Sequence, residues 1–228
     1  MDRHNNTLIL MRHGESVWNA QNRFTGFANI PLSPRGLLQA QQAGPILKQY
    51  QPSMVFTSAL LRAQQTITTA LTEIGHAPVL FEDRPSDQIH DYHAQDPTFT
   101  PVFWHCALNE RDYGDLRGMH RDDAMQQFGQ EQVHQWRRSY HAVPPQGESL
   151  KMTYERVVPY YESVIAPYLR SNNIIVCAHG NSIRALLSYL FKLSEYALLS
   201  LEIPLAQPIA LTFNGQEYQS IDSFQDVL

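Results

Sequence analysis

Arg12-His13-Gly14-Glu15-Ser16 sets an imidazole beside a guanidinium and follows both with a glycine. Histidine can act as a covalent nucleophile. The planar fork of arginine matches phosphate oxygens in pairs. Glycine lets backbone amides come close to an anion. His179-Gly180-Asn181 repeats the design, and Asn181 opens a predicted helix, whose N-terminus favours anions. Arg62 adds a third positive group. Such a set suits in-line phosphoryl transfer, which needs positioning and charge stabilisation more than elaborate covalent chemistry.

Two further clusters leave a choice open. Glu110, in Leu108-Asn109-Glu110-Arg111-Asp112-Tyr113-Gly114, is a candidate general acid/base if the turn lies in a cleft. Burial there would tune its carboxyl toward the protonated form; otherwise the turn is a solvated charged loop. Trp136-Arg137-Arg138 follows a short helix predicted from Glu131. Neighbouring arginines normally point to different sides of a helix, so the pair reads as a solvated face or as the holder of a second anionic group. A metal site is not expected. His13 and His179 each have an arginine nearby, which would repel a cation, and His90, Asp91 and His93 read as an exposed loop.

These residues need elements to hold them. The apolar runs at residues 8–11, 54–57 and 173–178 predict buried strands, and each ends at one of the polar clusters. Ser33 and Pro34 start a helix as N-cap and first residue. Ser58 can cap a helix over 59–71. Residues 149–169 form a long amphipathic candidate that Pro159 and Pro167 would kink, and 182–191 form another helix. Residues 208–213 and 218–221 predict late strands paired through Asn214-Gly215. Strands alternating with helices imply an α/β fold of three αβα layers around a mostly parallel sheet. Ligands in such sheets bind beyond the carboxyl ends of the strands. Residues 82–106 are polar, with His90, His93 and His105 among several aromatics, and have no assignable regular structure. A loop of that length fits a lid or an oligomer contact.

The 228 residues suit a single domain spanning 1–228, with 82–106 as an inserted segment. A net charge of −5 argues against a nucleic-acid partner but permits a local basic pocket. The two cysteines, Cys106 and Cys177, form no disulfide framework, and Cys177 reads as a core residue. No apolar run is long enough for a membrane span and no leader is evident, so a cytoplasmic location is the simplest expectation.

The clusters, together with Trp18-Asn19, Arg23-Phe24-Thr25-Gly26, Thr57-Ser58, Arg62-Ala63, Gly147-Glu148-Ser149-Leu150 and Ala178-His179-Gly180-Asn181-Ser182, resemble the cofactor-dependent phosphoglycerate mutases of the histidine phosphatase superfamily. The resemblance runs in order from about residue 8 to about 213. It implies that His13 is phosphorylated, with Arg12, Arg62 and His179 around the phosphoryl group and Asn19 and Gly180 assisting. It implies Glu110 as acid/base, and Thr25, Gly26, Tyr113, Arg121, Arg137, Arg138 and Asn181 as substrate-binding residues. It also implies priming by 2,3-bisphosphoglycerate, no metal, a small phosphoglycerate substrate and a role in glycolysis and gluconeogenesis. A homo-oligomer is compatible with it.

The chain departs from that pattern in three places. Arg121 stands where the family usually has lysine, which keeps the charge but changes the geometry. Leu205-Ala206 stands where it usually has Thr-Gly. The 82–106 segment is longer than usual, whereas the connection at 144–147 resembles the short forms. The alternative is a histidine phosphatase of the same fold acting on a small phosphorylated metabolite. A non-catalytic phosphometabolite-binding scaffold is a third reading, separable by His13→Ala.

Overall fold

The computed structural model describes residues 6–83, 85, 96, 98–213 and 218–220. The first apolar run is the interior of strand β1 (Asn6–Arg12), in which residues 7–11 are all buried. Helices α1 (Val17–Ala20) and α2 (Pro34–Lys48) follow, then β2 (Met54–Ser58), α3 (Leu61–Glu73), β3 (Ala77–Glu82) and β4 (Phe99–His105). Helices α4 (Arg121–Phe128), α5 (Gln130–Arg138) and α6 (Leu150–Tyr160) precede β5 (Ile174–Ala178). The described chain ends with α7 (Gly180–Phe191), α8 (Glu195–Ser200), β6 (Pro208–Phe213) and β7 (Tyr218–Ser220).

The strands form one sheet in the order β3-β4-β2-β5-β1-β6-β7. The first five are mutually parallel, and β6 and β7 add antiparallel ladders beyond β1. Period-two alternation divides β1 between two cores. Leu8 and Leu10 pack with α6 and α7 through Val157, Tyr160, Ile183 and Leu186. Ile9 and Met11 face the opposite side, against Ala43 and Leu47 of α2 and Ile67 and Leu71 of α3. Burying such a Leu or Ile side chain contributes roughly 1.5–3 kcal/mol, so the three expected αβα layers are held through both faces. A smaller cluster of Phe24, Leu116, Ala124, Val133 and Trp136 anchors α4 and α5 above the sheet.

Two expectations change. Part of the 82–106 segment is regular: β4 lies inside the sheet, between β3 and β2. Its sequence, Phe-Thr-Pro-Val-Phe-Trp-His, hides this because Pro101 and the polar residues break any apolar run. The fold tolerates Pro101 because the β2 ladder begins only at Val102. The 149–169 helix continues past Pro159 by changing pitch, with a π turn at Tyr161–Ile165 and a 3-10 turn at Ala166–Arg170. Proline cannot donate the regular hydrogen bond, and a wider turn accommodates the mismatch. The expected Asn214-Gly215 turn and the His90, Asp91 and His93 stretch lie outside the described residues. Cys177 is buried as expected, and Cys106 is exposed. Among the described residues, no helix is long and apolar enough to cross a membrane.

Candidate active site

His13 follows β1 directly, and its backbone N–H donates to the Ala178 carbonyl of β5 at 3.0 Å. Its ring Nδ1 donates to the Gly14 carbonyl at 2.6 Å. That bond leaves Nε2 with the free lone pair, and the Arg62 Nε–H donates to it at 3.3 Å. Burial, then Arg62 and Arg12, hold the His13 pKa well below its ordinary value. A buried imidazole beside two guanidinium groups stays neutral, which is the form a nucleophile requires.

The loop that carries His13 is fixed from several sides. The Gly14 N–H donates to Thr66 Oγ1 at 3.0 Å. Ser33, the N-cap of α2, donates its N–H to the Glu15 carbonyl and its hydroxyl to the Glu15 carboxylate, each at 2.8 Å. Ser16 and Asn19 exchange reciprocal hydrogen bonds across the first turn of α1. Arg62, only 1% exposed, donates Nη1 and Nη2 to the Ala28 and Gly26 carbonyls, both at 2.9 Å. Its fork is therefore locked before any ligand arrives.

His179 lies against His13, with ring centroids 4.9 Å apart. It is fully buried, and burial, then Arg62 and His13, push its pKa well below the ordinary value. Its Nε2 shares a 2.7 Å hydrogen bond with Ser58 Oγ. This corrects the expected role of Ser58: α3 starts after Leu60 without a side-chain cap, and the hydroxyl orients His179 instead.

Glu110 is 8% exposed. Its Oε1 accepts from the Arg111 N–H at 2.9 Å and from the Asn181 N–H at 3.0 Å. Burial pulls its pKa upward, but Arg12, the Arg111 amide, Arg62 and the Asn181 amide together outweigh burial and leave it lowered. The expectation of a carboxyl tuned toward the protonated form is thus reversed. Spacing along the chain could not reveal that two arginines and two amides converge on it.

These groups meet in a cavity of about 350 Å³. Arg12, His13, Asn19, Thr25, Gly26, Arg62, Glu110, Tyr113, Arg121, Arg137, Arg138, Gly180 and Asn181 all line it. His179 alone among the expected residues is absent from the lining, its ring centroid lying 4.9 Å from that of His13. Arg137 and Arg138 both reach the cavity because Trp136 is buried in the core and the C-terminal end of α5 points there. Four lining residues had no assigned role: Arg23, Phe24, Arg184 and Glu202. Arg184 was legible in principle, since it lies three residues beyond Asn181 on the first turns of α7 and thus on the same face. Glu202 sits in an irregular connection, and nothing in its sequence context signals it. It accepts from Arg138 Nη2 at 2.7 Å and lies 3.8 Å from Arg184 Nη2.

The cavity is strongly cationic. Seven arginines (Arg12, Arg23, Arg62, Arg121, Arg137, Arg138 and Arg184) face two carboxylates, Glu110 and Glu202. Arg12 Nε, Arg121 Nε and two nitrogens of Arg111 are buried with no protein partner. Burial, then Arg121, lowers the Arg137 pKa, as expected of cations crowded without enough anions. Among the described residues, no three His, Cys, Asp or Glu side chains gather as metal ligands.

Fold and site together define an α/β protein shaped to take an anionic, phosphate-like group against a neutral histidine. The chain belongs to the histidine phosphatase superfamily (branch 1), which matches residues 8–86 and 92–226. A relative from Chlamydia trachomatis serovar L2b, called a 2,3-bisphosphoglycerate-dependent phosphoglycerate mutase, is 45% identical over 216 residues, covering 92% of this chain and 95% of that protein. A relative of the same name from Protochlamydia amoebophila is 42% identical over 92% of this chain and 96% of its own length. Among solved structures, an alpha-ribazole phosphatase from Shigella flexneri superposes with a TM-score of 0.74 at 25% identity, over 94% of each chain.

Proposed function

We propose that this chain is a 2,3-bisphosphoglycerate-dependent phosphoglycerate mutase, interconverting 3-phosphoglycerate and 2-phosphoglycerate in glycolysis and gluconeogenesis. The phosphoryl group is carried on Nε2 of His13. The observation that carries this reading is a second set of cations facing the same cavity as His13. Arg12 and Arg62 surround the nucleophile, whereas Arg23, Arg121, Arg137 and Arg138 offer separate charge to another anionic group. A ligand with two anionic groups answers that arrangement, and the unpartnered N–H groups of Arg12 and Arg121 fit the same demand. When bound, 2,3-bisphosphoglycerate supplies the phosphoryl group that primes His13.

The residues divide the work. Neutral His13 attacks phosphorus through Nε2, and Arg12 and Arg62 offset charge on the equatorial oxygens. His179 joins Arg12 and Arg62 around the phosphoryl group; its Nε2 is held by Ser58, and its Nδ1 has no protein partner. Asn19, Gly180 and Asn181 bound the phosphoryl side, whereas Thr25, Gly26, Tyr113, Arg121, Arg137 and Arg138 hold the glycerate and its carboxylate. Glu110, ionised by its surroundings, takes the proton of the substrate hydroxyl as that oxygen attacks phosphohistidine. A phosphoryl dianion between Arg12 and Arg62 weakens the field that holds Glu110 low, so the carboxylate accepts a proton more readily.

The test follows conversion of 3-phosphoglycerate with and without catalytic 2,3-bisphosphoglycerate, together with released phosphate. Stimulated conversion with little phosphate release is expected, and His13→Ala should remove at least about 10⁴-fold of the rate. Phosphate release without isomerisation would replace the mutase by a phosphatase of the same fold.

A further inference from the structure

Arg156 lies on α6, outside the cavity lining, yet every N–H of its guanidinium is used. Nη1 donates to the Ala107 carbonyl at 2.7 Å and to the Asn109 carbonyl at 2.9 Å. Nη2 donates to the Glu110 carbonyl at 2.7 Å and to Glu148 Oε2 at 2.9 Å. Nε donates to Glu148 Oε1 at 3.0 Å. Glu148 Oε2 also accepts from the Asp112 N–H at 3.0 Å, and the Glu148 N–H donates to the Asp112 carbonyl at 2.9 Å. The far side of the guanidinium lies over Phe27, 5.4 Å from the ring centroid.

Three carbonyls of the 107–110 turn therefore point at one cation, and the next peptide is fastened to the carboxylate that pairs with it. Carbonyls at so buried a turn need donors. The bidentate fork fixes their direction as well as their energy. Glu110 is then gripped twice: its backbone carbonyl by Arg156, and its side-chain carboxylate by the Arg111 and Asn181 amides.

We propose that Arg156, clamped by Glu148, is the positioning residue for Glu110 and sets the proton-transfer part of the reaction. The proposal rests on the reading of Glu110 as acid/base. Ionised Glu110 first takes the substrate hydroxyl proton as the O–P bond forms and the N–P bond of phosphohistidine breaks. When an alkyl phosphate then transfers to His13, the N–P bond forms, the P–O bond breaks, and Glu110 returns that same proton to the departing alkoxide. A carboxylate displaced from the substrate oxygen slows both directions without removing any group that binds phosphate. Lysine cannot replace the clamp, because an ammonium offers three donors and no planar fork.

The test is a double-mutant cycle on the full chain. Arg156→Lys and Glu148→Gln are each made in the wild-type and Glu110→Gln backgrounds, with Tm recorded for all. The expected result is a kcat loss of about 100-fold for Arg156→Lys in the wild-type background, with KM nearly unchanged. In the Glu110→Gln background the added loss should be within about threefold, because there is no carboxylate left to position. An equal loss in both backgrounds overturns the proposal and makes Arg156 a stability residue. Glu148→Gln repeats the comparison if Arg156→Lys fails to fold. A wild-type protein that only releases phosphate overturns the mutase reading, while the same cycle, run on phosphate release, still decides the role of Arg156. A Glu110→Gln protein of full activity overturns both the acid/base role and the proposal.

Discussion

At the scale of single residues, charge and backbone angle decide what the site can do. Glu202 is the anion nearest the outer arginines, held by Arg138 at 2.7 Å. On the proposed reading it competes with an incoming carboxylate or phosphate for that guanidinium. Its side chain is 69% exposed, so the competition is screened and modest. Steady-state kinetics of Glu202→Gln should show KM for the anionic substrate lowered roughly two- to fivefold, with kcat nearly unchanged. A raised KM would mean that Glu202 helps to hold substrate. Ala206 has φ of +50° and donates its N–H to the Arg12 carbonyl at 2.9 Å. A left-handed alanine is strained by its Cβ. Ala206→Gly should therefore raise stability by about 0.5–1 kcal/mol in urea unfolding, and an unchanged midpoint would count against strain there. This is the position where the resemblance led one to expect glycine.

Elements are coupled to the site by close packing. Helix α2 meets the His13 loop so tightly that a Cβ added at Gly36 would lie 2.0 Å from the Glu15 carbonyl oxygen. That contact sits in the same turn in which Ser33 binds Glu15. Gly36→Ala should cost about 1–3 kcal/mol of stability, as overpacking does. It should also slow phosphorylation of His13, measured as single-turnover labelling from 2,3-bisphosphoglycerate. Full labelling speed with lowered stability would separate the helix from the loop. Elements also explain which parts were legible. β1, β2 and β5 are continuous apolar runs because both faces of a central parallel strand are buried. β4 is also interior, between β3 and β2, but carries Thr100, Pro101 and His105, so no pattern marks it. Edge strand β3, half exposed, announces itself no better.

For the whole molecule, the two buried imidazoles couple folding to pH. His13 and His179 have folded-state pKa values well below the ordinary 6.5, chiefly through burial and Arg62. The unfolded chain therefore binds more protons once the pH drops below that value. Stability is fully present above it and is lost as the pH falls toward the folded values, at up to about 1.4 kcal/mol per pH unit for each excess proton. Tm should fall steadily from pH 7 to pH 5, and the slope should lessen in His13→Gln. A Tm that holds constant over that range would mean that the histidines are protonated in the folded state.

The sequence alone determined the strand-end positions of His13 and His179, the αβα layering, and the candidacy of Arg12, Arg62 and Glu110. Those features depend on local patterns: apolar runs, helix starts and short motifs that the chain carries side by side. Tertiary structure decided the rest. It brought Arg137 and Arg138 to the same cavity, turned Ser58 from a helix cap into a partner of His179, and added Arg184 and Glu202. It also reversed the expected shift of Glu110, since a pKa sums burial against every nearby charge. The charges and amide donors that act on it come from positions as far apart in the chain as Arg12 and Asn181, and only folding sets the distances between them.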